Sequence, residues 1–218
     1  MFRDRTDAGR LLGELVASRL SHLPGPKGLA GGLVLGLPRG GVPVAAVVAE
    51  ALGVPLDVLV VRKIGMPSQP ELALGAVGEN GAVVLNDEVV SVGGVGPDEL
   101  SSLIRKASEE VADVVAQLRP VAAPLDVQGR MAIVVDDGVA TGATVRAAAS
   151  VLRGLGSGPV ILATPVAALS TCHSLKSCFD QVICIMTPLR FRSVGRHYQQ
   201  FDQVSIDQVR RLLASSRG

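Results

Sequence analysis

The chain has 218 residues, a formal net charge of +1, and five aromatic residues against 48% hydrophobic residues, 25 glycines and 13 prolines. That length suits one α/β domain with a small appendage, with a core of aliphatic layers; two independent domains would be cramped. Near-neutral charge without a Lys/Arg run gives no field for nucleic acid, the charged start MFRDRTDAGR is unlike a signal peptide, and no apolar run approaches the ~20 residues of a membrane helix, so the expectation is a soluble cytoplasmic protein without nucleic-acid or membrane partners.

Asp4 or Thr6 can cap a first helix carrying Ala8, Leu11, Leu12, Leu15 and Leu20 at helical spacing, closed by the breaker run Pro24, Gly25, Pro26. Residues 33–37 read as a short buried strand, 38–41 as a glycine-rich turn, and 42–52 as a helix with proline in its first turn and Gly53 past its end. A second strand over 56–61 leads into RKIGMPSQPELALGAV, whose prolines, glycines and polar residues predict a mobile loop over 65–76. A strand over 82–85, the stretch SVGGVG and a helix over 98–118 follow, the helix with Leu100, Leu103, Ile104, Val111, Val114 and Leu118 on its apolar side.

The alternation then repeats: strand 133–135, loop 136–142, helix 143–155, strand 160–163, a short helix over 168–177 and strand 182–186. Such spacing predicts a mainly parallel sheet covered by helices on both faces. The tail from residue 187 breaks the pattern, and Ser205 with Gln208 forms a capping box for a last helix bearing Ile206, Val209, Leu212 and Leu213. Cys172, Cys178 and Cys184 lack metal-ligand spacing and read as reduced thiols, and His22 and His173 have no partner in the pattern.

Residues 133–144, IVVDDGVATGAT, carry the chemistry. In a parallel sheet, ligands bind beyond the carboxyl ends of the strands. Small residues there let backbone N–H groups face an anion, the following helix adds its positive end, and Thr141 and Thr144 offer hydroxyls. Asp136 and Asp137 repel a phosphate but accept hydrogen bonds from vicinal hydroxyls. A phosphate beside a diol is a ribose 5-phosphate. An isolated Thr-Gly-x-Thr is as often an ordinary helix start; the full string is more specific.

That string closely resembles the signature of type I phosphoribosyltransferases, and LGLPRGGVPVAAVVAEALGV, residues 35–54, resembles their pyrophosphate loop and following helix. The similarity runs in order from about residue 33 to 186, and the Arg-Lys-Ile-Gly string and the tail resemble a bacterial group of unassigned acceptor. The resemblance implies the type I phosphoribosyltransferase fold as a single domain, core about 32–186, with a hood from about 1–31 and 187–218. It implies transfer of a phosphoribosyl group from phosphoribosyl pyrophosphate to a nitrogen acceptor, with Mg2+ as cofactor and a homodimer as the usual assembly.

The implied donor site comprises Arg39, Gly40, Gly41, Arg62, Lys63, Asp136, Asp137, Gly138, Val139, Ala140, Thr141, Gly142, Ala143 and Thr144, with Asp136 and Asp137 meeting the metal indirectly through ribose hydroxyls and water. Arg39 and Lys63 would stabilise charge growing on the leaving pyrophosphate, and residues 65–76 would close over the centre as a lid. Ala140 stands where oxopurine enzymes of the family carry an aspartate, which leaves Glu71 as the nearby carboxylate to nominate for a general base, with a solvated loop glutamate at least an equal reading. Phe191 and Tyr198, beside Phe201, offer rings for an acceptor, although docking of the last helix is an equal reading for Phe201. The rival function is a non-catalytic sensor of the same donor. A dinucleotide oxidoreductase would need G-x-G-x-x-G after the first strand and a P-loop nucleotidase Gly-Lys-Ser/Thr; neither is present.

Overall fold

A computed structural model describes residues 1–21, 31–119, 124 and 126–216, with the backbone alone at Pro70 and Glu71. Five parallel strands form the central sheet in the order β2 (Leu56–Val58), β1 (Leu33–Gly36), β6 (Ala132–Val135), β7 (Val160–Val166) and β8 (Gln181–Met186). β1, β6 and β7 are buried along their whole length, which explains sequences that are apolar but for Thr164. Their side chains divide by alternation. Val34, Ile133 and Ile161 face one core with residues of α1 (Arg5–Leu20), α2 (Gly41–Leu52), α4 (Pro97–Leu118) and α7 (Ile206–Ser215). Leu35, Val134 and Leu162 face the other, with α5 (Ala143–Gly154) and α6 (Leu169–Leu175).

The α/β class and flanking helices match the expectation, and local chemistry explains the ends. Asp4, not Thr6, caps α1 by accepting a hydrogen bond from Asp7 N at 2.8 Å. Gly53 ends α2 at φ 63°, a left-handed conformation that glycine adopts without a Cβ penalty. Ser205 Oγ accepts from Gln208 N at 3.1 Å to begin α7. The expected breaker at Pro24, Gly25 and Pro26, and His22, lie outside the described residues. All three cysteines are free, and burial pushes the Cys184 thiol up to about 12, so it stays protonated at neutral pH.

Two expectations are corrected here. Residues 65–76 are no loop: β3 (Val61–Met66) and β4 (Gln69–Gly78) form an antiparallel hairpin about a turn at Pro67 and Ser68, extended by β5 (Val83–Leu85) into a three-stranded sheet. Register shifts on either side of Gly65 break the two-residue alternation in the sequence, but Ile64, Met66, Leu74 and Ala76 are buried. Within SVGGVG, the first two residues complete an additional helix, α3 (Asp87–Val92), capped by Asn86.

The smaller sheet packs between α4 and α5 and is tied to the parallel sheet by a buried charge cluster. Arg119, just past α4, pairs with Glu79 at the end of the hairpin and with Asp57 of β2, at 3.5 Å. Glu79 also accepts from Val60 N at 3.0 Å. Burial raises the Glu79 carboxyl pKa, opposed by the Arg119 charge.

Candidate functional site: the carboxyl edge of β1 and β6

β1 and β6 are paired neighbours, so the loops leaving them emerge side by side, and Leu37 N donates to Val135 O at 2.9 Å. The loop after β1 turns through a cis Pro38–Arg39 peptide and lies directly on the acids after β6. A Cβ at Gly40 would sit 2.1 Å from Asp137 Oδ2, and one at Gly41 would sit 2.5 Å from Val135 O. Only glycine permits that approach. Arg39 is exposed. It shares with Gly40, Asp136 and Asp137 a cavity of about 490 Å³ that Phe201, Asp202, Gln203 and Val204 also line.

The acids differ in environment. Asp136 is half-buried and accepts from Asp137 N at 2.9 Å; burial, aided by the neighbouring Asp137 charge, holds its pKa well above the carboxylate range. Asp137 is buried, and desolvation raises its pKa against the opposing charge of Arg5. Arg5, from the first turn of α1, places Nε and Nη2 each 2.8 Å from Asp137 Oδ2 and donates from Nη1 to Asp202 O at 2.7 Å. Its guanidinium lies over the Phe201 ring, 4.0 Å from the centroid.

Beyond the acids the loop is fastened from β7 and α6. Val139 N donates to Val166 O at 2.8 Å, Ala168 N to Val139 O at 3.1 Å, and Thr171 Oγ1 to Ala140 O at 2.7 Å. Gly142, at φ 81°, opens α5 without a side-chain cap, which leaves the first N–H groups of the helix to a ligand or water. Ala140, Thr141 and Thr144 are exposed, so the loop presents a solvent-facing cradle for an anion.

A family model for the phosphoribosyl transferase domain matches residues 30–198. The chain belongs to that family. Two Mycobacterium tuberculosis proteins provisionally named phosphoribosyl transferases are each 45% identical over 209 residues, 96% of this chain. The chain spans less than half, 45%, of the length of these curated relatives. The crystal structure of the Thermus thermophilus protein TT1426, at 39% identity, superposes with a TM-score of 0.89 over 100% of this chain and 99% of that one. An Aquifex aeolicus protein, AQ2163, shares the fold at 10% identity and a TM-score of 0.53, over 88% of this chain and 78% of its own.

Of the residues that resemblance to phosphoribosyltransferases nominates, Arg39, Gly40, Asp136 and Asp137 converge on one cavity, with Gly41 opening α2 beneath it. Lys63 and Arg62 do not join them. Successive residues of a strand face opposite ways, so Arg62 turns to α4, 3.5 Å from Glu110, while Lys63 turns to α5. Lys63 lines a second cavity of about 320 Å³ with Thr141, Ala143 and Arg146, at the N-terminal end of α5. Arg62 therefore does not line the cavity that holds Arg39, Asp136 and Asp137, and the segment expected to act as a lid is a strand pair. The Glu71 side chain, the nominated base, lies outside the described residues.

The tail aromatics are corrected too. Tyr198 is 5% exposed, its ring lies between Phe2 and Phe201 at centroid distances of 5.3 and 5.0 Å, and its hydroxyl donates to Asp137 O at 2.6 Å. It fastens the tail to the acid loop and has no open face for a base. Phe191 stacks on His197 at 5.6 Å, and neither lines the cavity that holds Arg39, Asp136 and Asp137. Phe201, for which docking was an equal reading, does line it. Sequence reasoning missed Arg5 and residues 202–204; nothing local marks them, because α1 and the tail are brought there only by tertiary packing.

Proposed function

We propose that this domain transfers a 5-phosphoribosyl group from phosphoribosyl pyrophosphate to a nitrogen acceptor, a nucleobase or related heterocycle, and releases pyrophosphate. One observation carries the reading: the Arg39–Gly40 loop and the two acids share one cavity at the carboxyl edge of β1 and β6, adjacent to a phosphate cradle at the α5 N-terminus. Asp136 and Asp137 accept the ribose hydroxyls. The cradle of residues 138–144 holds the 5-phosphate through backbone N–H groups and the Thr141 and Thr144 hydroxyls. Arg39 and the amides of Gly40 and Gly41 meet the pyrophosphate, where negative charge grows as the bond to C1 lengthens.

The residues fit Mg2+ as an ion that arrives with the donor. Among the described residues no cluster of three or more His, Cys, Asp or Glu could hold a resident metal. The two desolvated acids nevertheless need a counter-charge, and an arginine supplies it to Asp137. Asp136 and Asp137 would hold Mg2+ there, and the ion would supply positive charge against the charge growing on the leaving pyrophosphate.

The acceptor approaches from the wall formed by Phe201, Asp202, Gln203 and Val204, which supplies a ring face and an amide side chain. The decisive experiment incubates the protein with phosphoribosyl pyrophosphate, Mg2+ and a panel of nucleobases and related heterocycles, and measures pyrophosphate release. Release with one acceptor class is expected. Tight donor binding without release from any acceptor would replace the transferase by a sensor of the donor. Replacing Asp136 and Asp137 together by asparagine should weaken donor binding; undiminished affinity would remove the diol assignment.

A further inference from the structure

Arg5 binds the acid that the donor site needs. Its side chain is 13% exposed, as is that of Asp137, and its Nε and Nη2 both point to one carboxylate oxygen. It is held from two other sides, by the Asp202 carbonyl and the Phe201 ring. It also lines the same cavity as Arg39, Gly40 and Asp136. A residue that served only to anchor α1 would not need to stand on the wall of the cavity that the loop assigned to the pyrophosphate also lines. The balance of charge gives it a second role. Asp136 and Asp137 are matched by Arg5 and Arg39, whereas a donor with phosphates at both ends brings more negative charge than one divalent ion offsets.

We propose that Arg5 is a donor-binding residue that changes partner. Without donor it neutralises Asp137; when the ribose hydroxyls and their metal take that carboxylate, the guanidinium pivots on Phe201 and binds the pyrophosphate from the side opposite Arg39. The inference rests on the donor-site reading above and adds a ligand from the N-terminal helix. Guanidinium suits this exchange because its planar fork pairs with carboxylate and phosphate oxygens alike, which an ammonium cannot reproduce in two-point form.

The test is calorimetric binding, with Mg2+, of phosphoribosyl pyrophosphate, inorganic pyrophosphate and ribose 5-phosphate to the whole chain and to Arg5→Met and Arg5→Lys. Arg5→Met should weaken phosphoribosyl pyrophosphate and pyrophosphate binding by about tenfold or more. Ribose 5-phosphate affinity should hold or rise, since it lacks the pyrophosphate and finds Asp137 unblocked. Arg5→Lys, which keeps the charge and guards against misfolding of the methionine variant, should lose pyrophosphate affinity by a smaller factor with the same selectivity. Equal affinities of wild type and both variants for all three ligands would overturn the partner change. So would a parallel loss for all three in the folded lysine variant, which marks Arg5 as a support for the acid alone. A wild-type protein that binds none of the three would overturn the donor site itself, and the role of Arg5 with it.

Discussion

Asp136 pits folding against binding. Its carboxyl pKa is raised, first by burial and then by the Asp137 charge, so the folded state holds the proton more tightly than the unfolded chain. The resulting penalty is absent below the ordinary carboxylate range, grows as pH rises through the elevated folded value, and is complete above it. Asp136→Asn, which keeps an oxygen to accept from Asp137 N, should therefore raise stability at neutral pH by on the order of 1–2 kcal/mol, measured by denaturant unfolding, while donor binding weakens. Donor affinity in the wild type should climb with pH over the same interval, because hydroxyls and metal bind the ionised carboxylate. Calorimetry in buffers of different ionisation enthalpy should record proton release on binding.

The acids were legible in the sequence because their neighbours in the chain are also their neighbours in space: strand, acids, cradle and helix follow one another over residues 133–144. Arg39, Gly40 and Gly41 were legible for the same reason. Arg5 was not, since the only sign it gives is a charge in the first turn of a helix, which is ordinarily solvated. Tyr198 was assigned the wrong role because a concentration of rings does not reveal which ring is enclosed; Phe2, on which it packs, lies 196 positions earlier in the chain.

Elements succeed or fail by how closely they approach each other. α1 reaches the acid loop because it lies against α2 through glycines: a Cβ at Gly9 would sit 2.8 Å from Val47 Cβ, and one at Gly13 would sit 2.8 Å from Ala51 Cβ. Gly13→Leu should push α1 outward and cost about 1–3 kcal/mol or more in an unfolding titration. If α1 delivers Arg5 as argued, the same variant should also weaken pyrophosphate binding at temperatures where it is folded. The parallel strands and all helices but α3 were readable from their periodicity, and α1, α2 and α7 also from end signals at Asp4, Gly53 and Ser205. The β3–β4 hairpin was not, because its shifted register at Gly65 and its proline-bearing turn imitate a loop. Its correct reading changes the chemistry, for it places Arg62 and Lys63 on opposite faces of one strand.

At the scale of the molecule, two sheets are joined through a buried ion cluster. Arg119 holds Glu79 and Asp57, all three at most 8% exposed, so neither carboxylate can turn to water once the arginine is lost. Arg119→Met should cost about 3–5 kcal/mol at neutral pH, measured by thermal or denaturant unfolding. The deficit should shrink as the solution is acidified, since Glu79, already raised by burial, then folds as the neutral acid. A deficit independent of pH would show that lost packing of the arginine stem, not stranded charge, is responsible.

The Arg5 contacts have a kinetic consequence. Its bonds to Asp137 and to the Asp202 carbonyl span 132 and 197 residues of chain, so they close long loops and carry the entropic cost of doing so. We expect such contacts to be largely unformed in the transition state for folding. Arg5→Met should therefore speed unfolding in stopped-flow experiments while leaving the refolding limb of the chevron nearly unmoved. A donor that engages Arg5 as proposed would then act on how long the native state persists rather than on how fast it is reached.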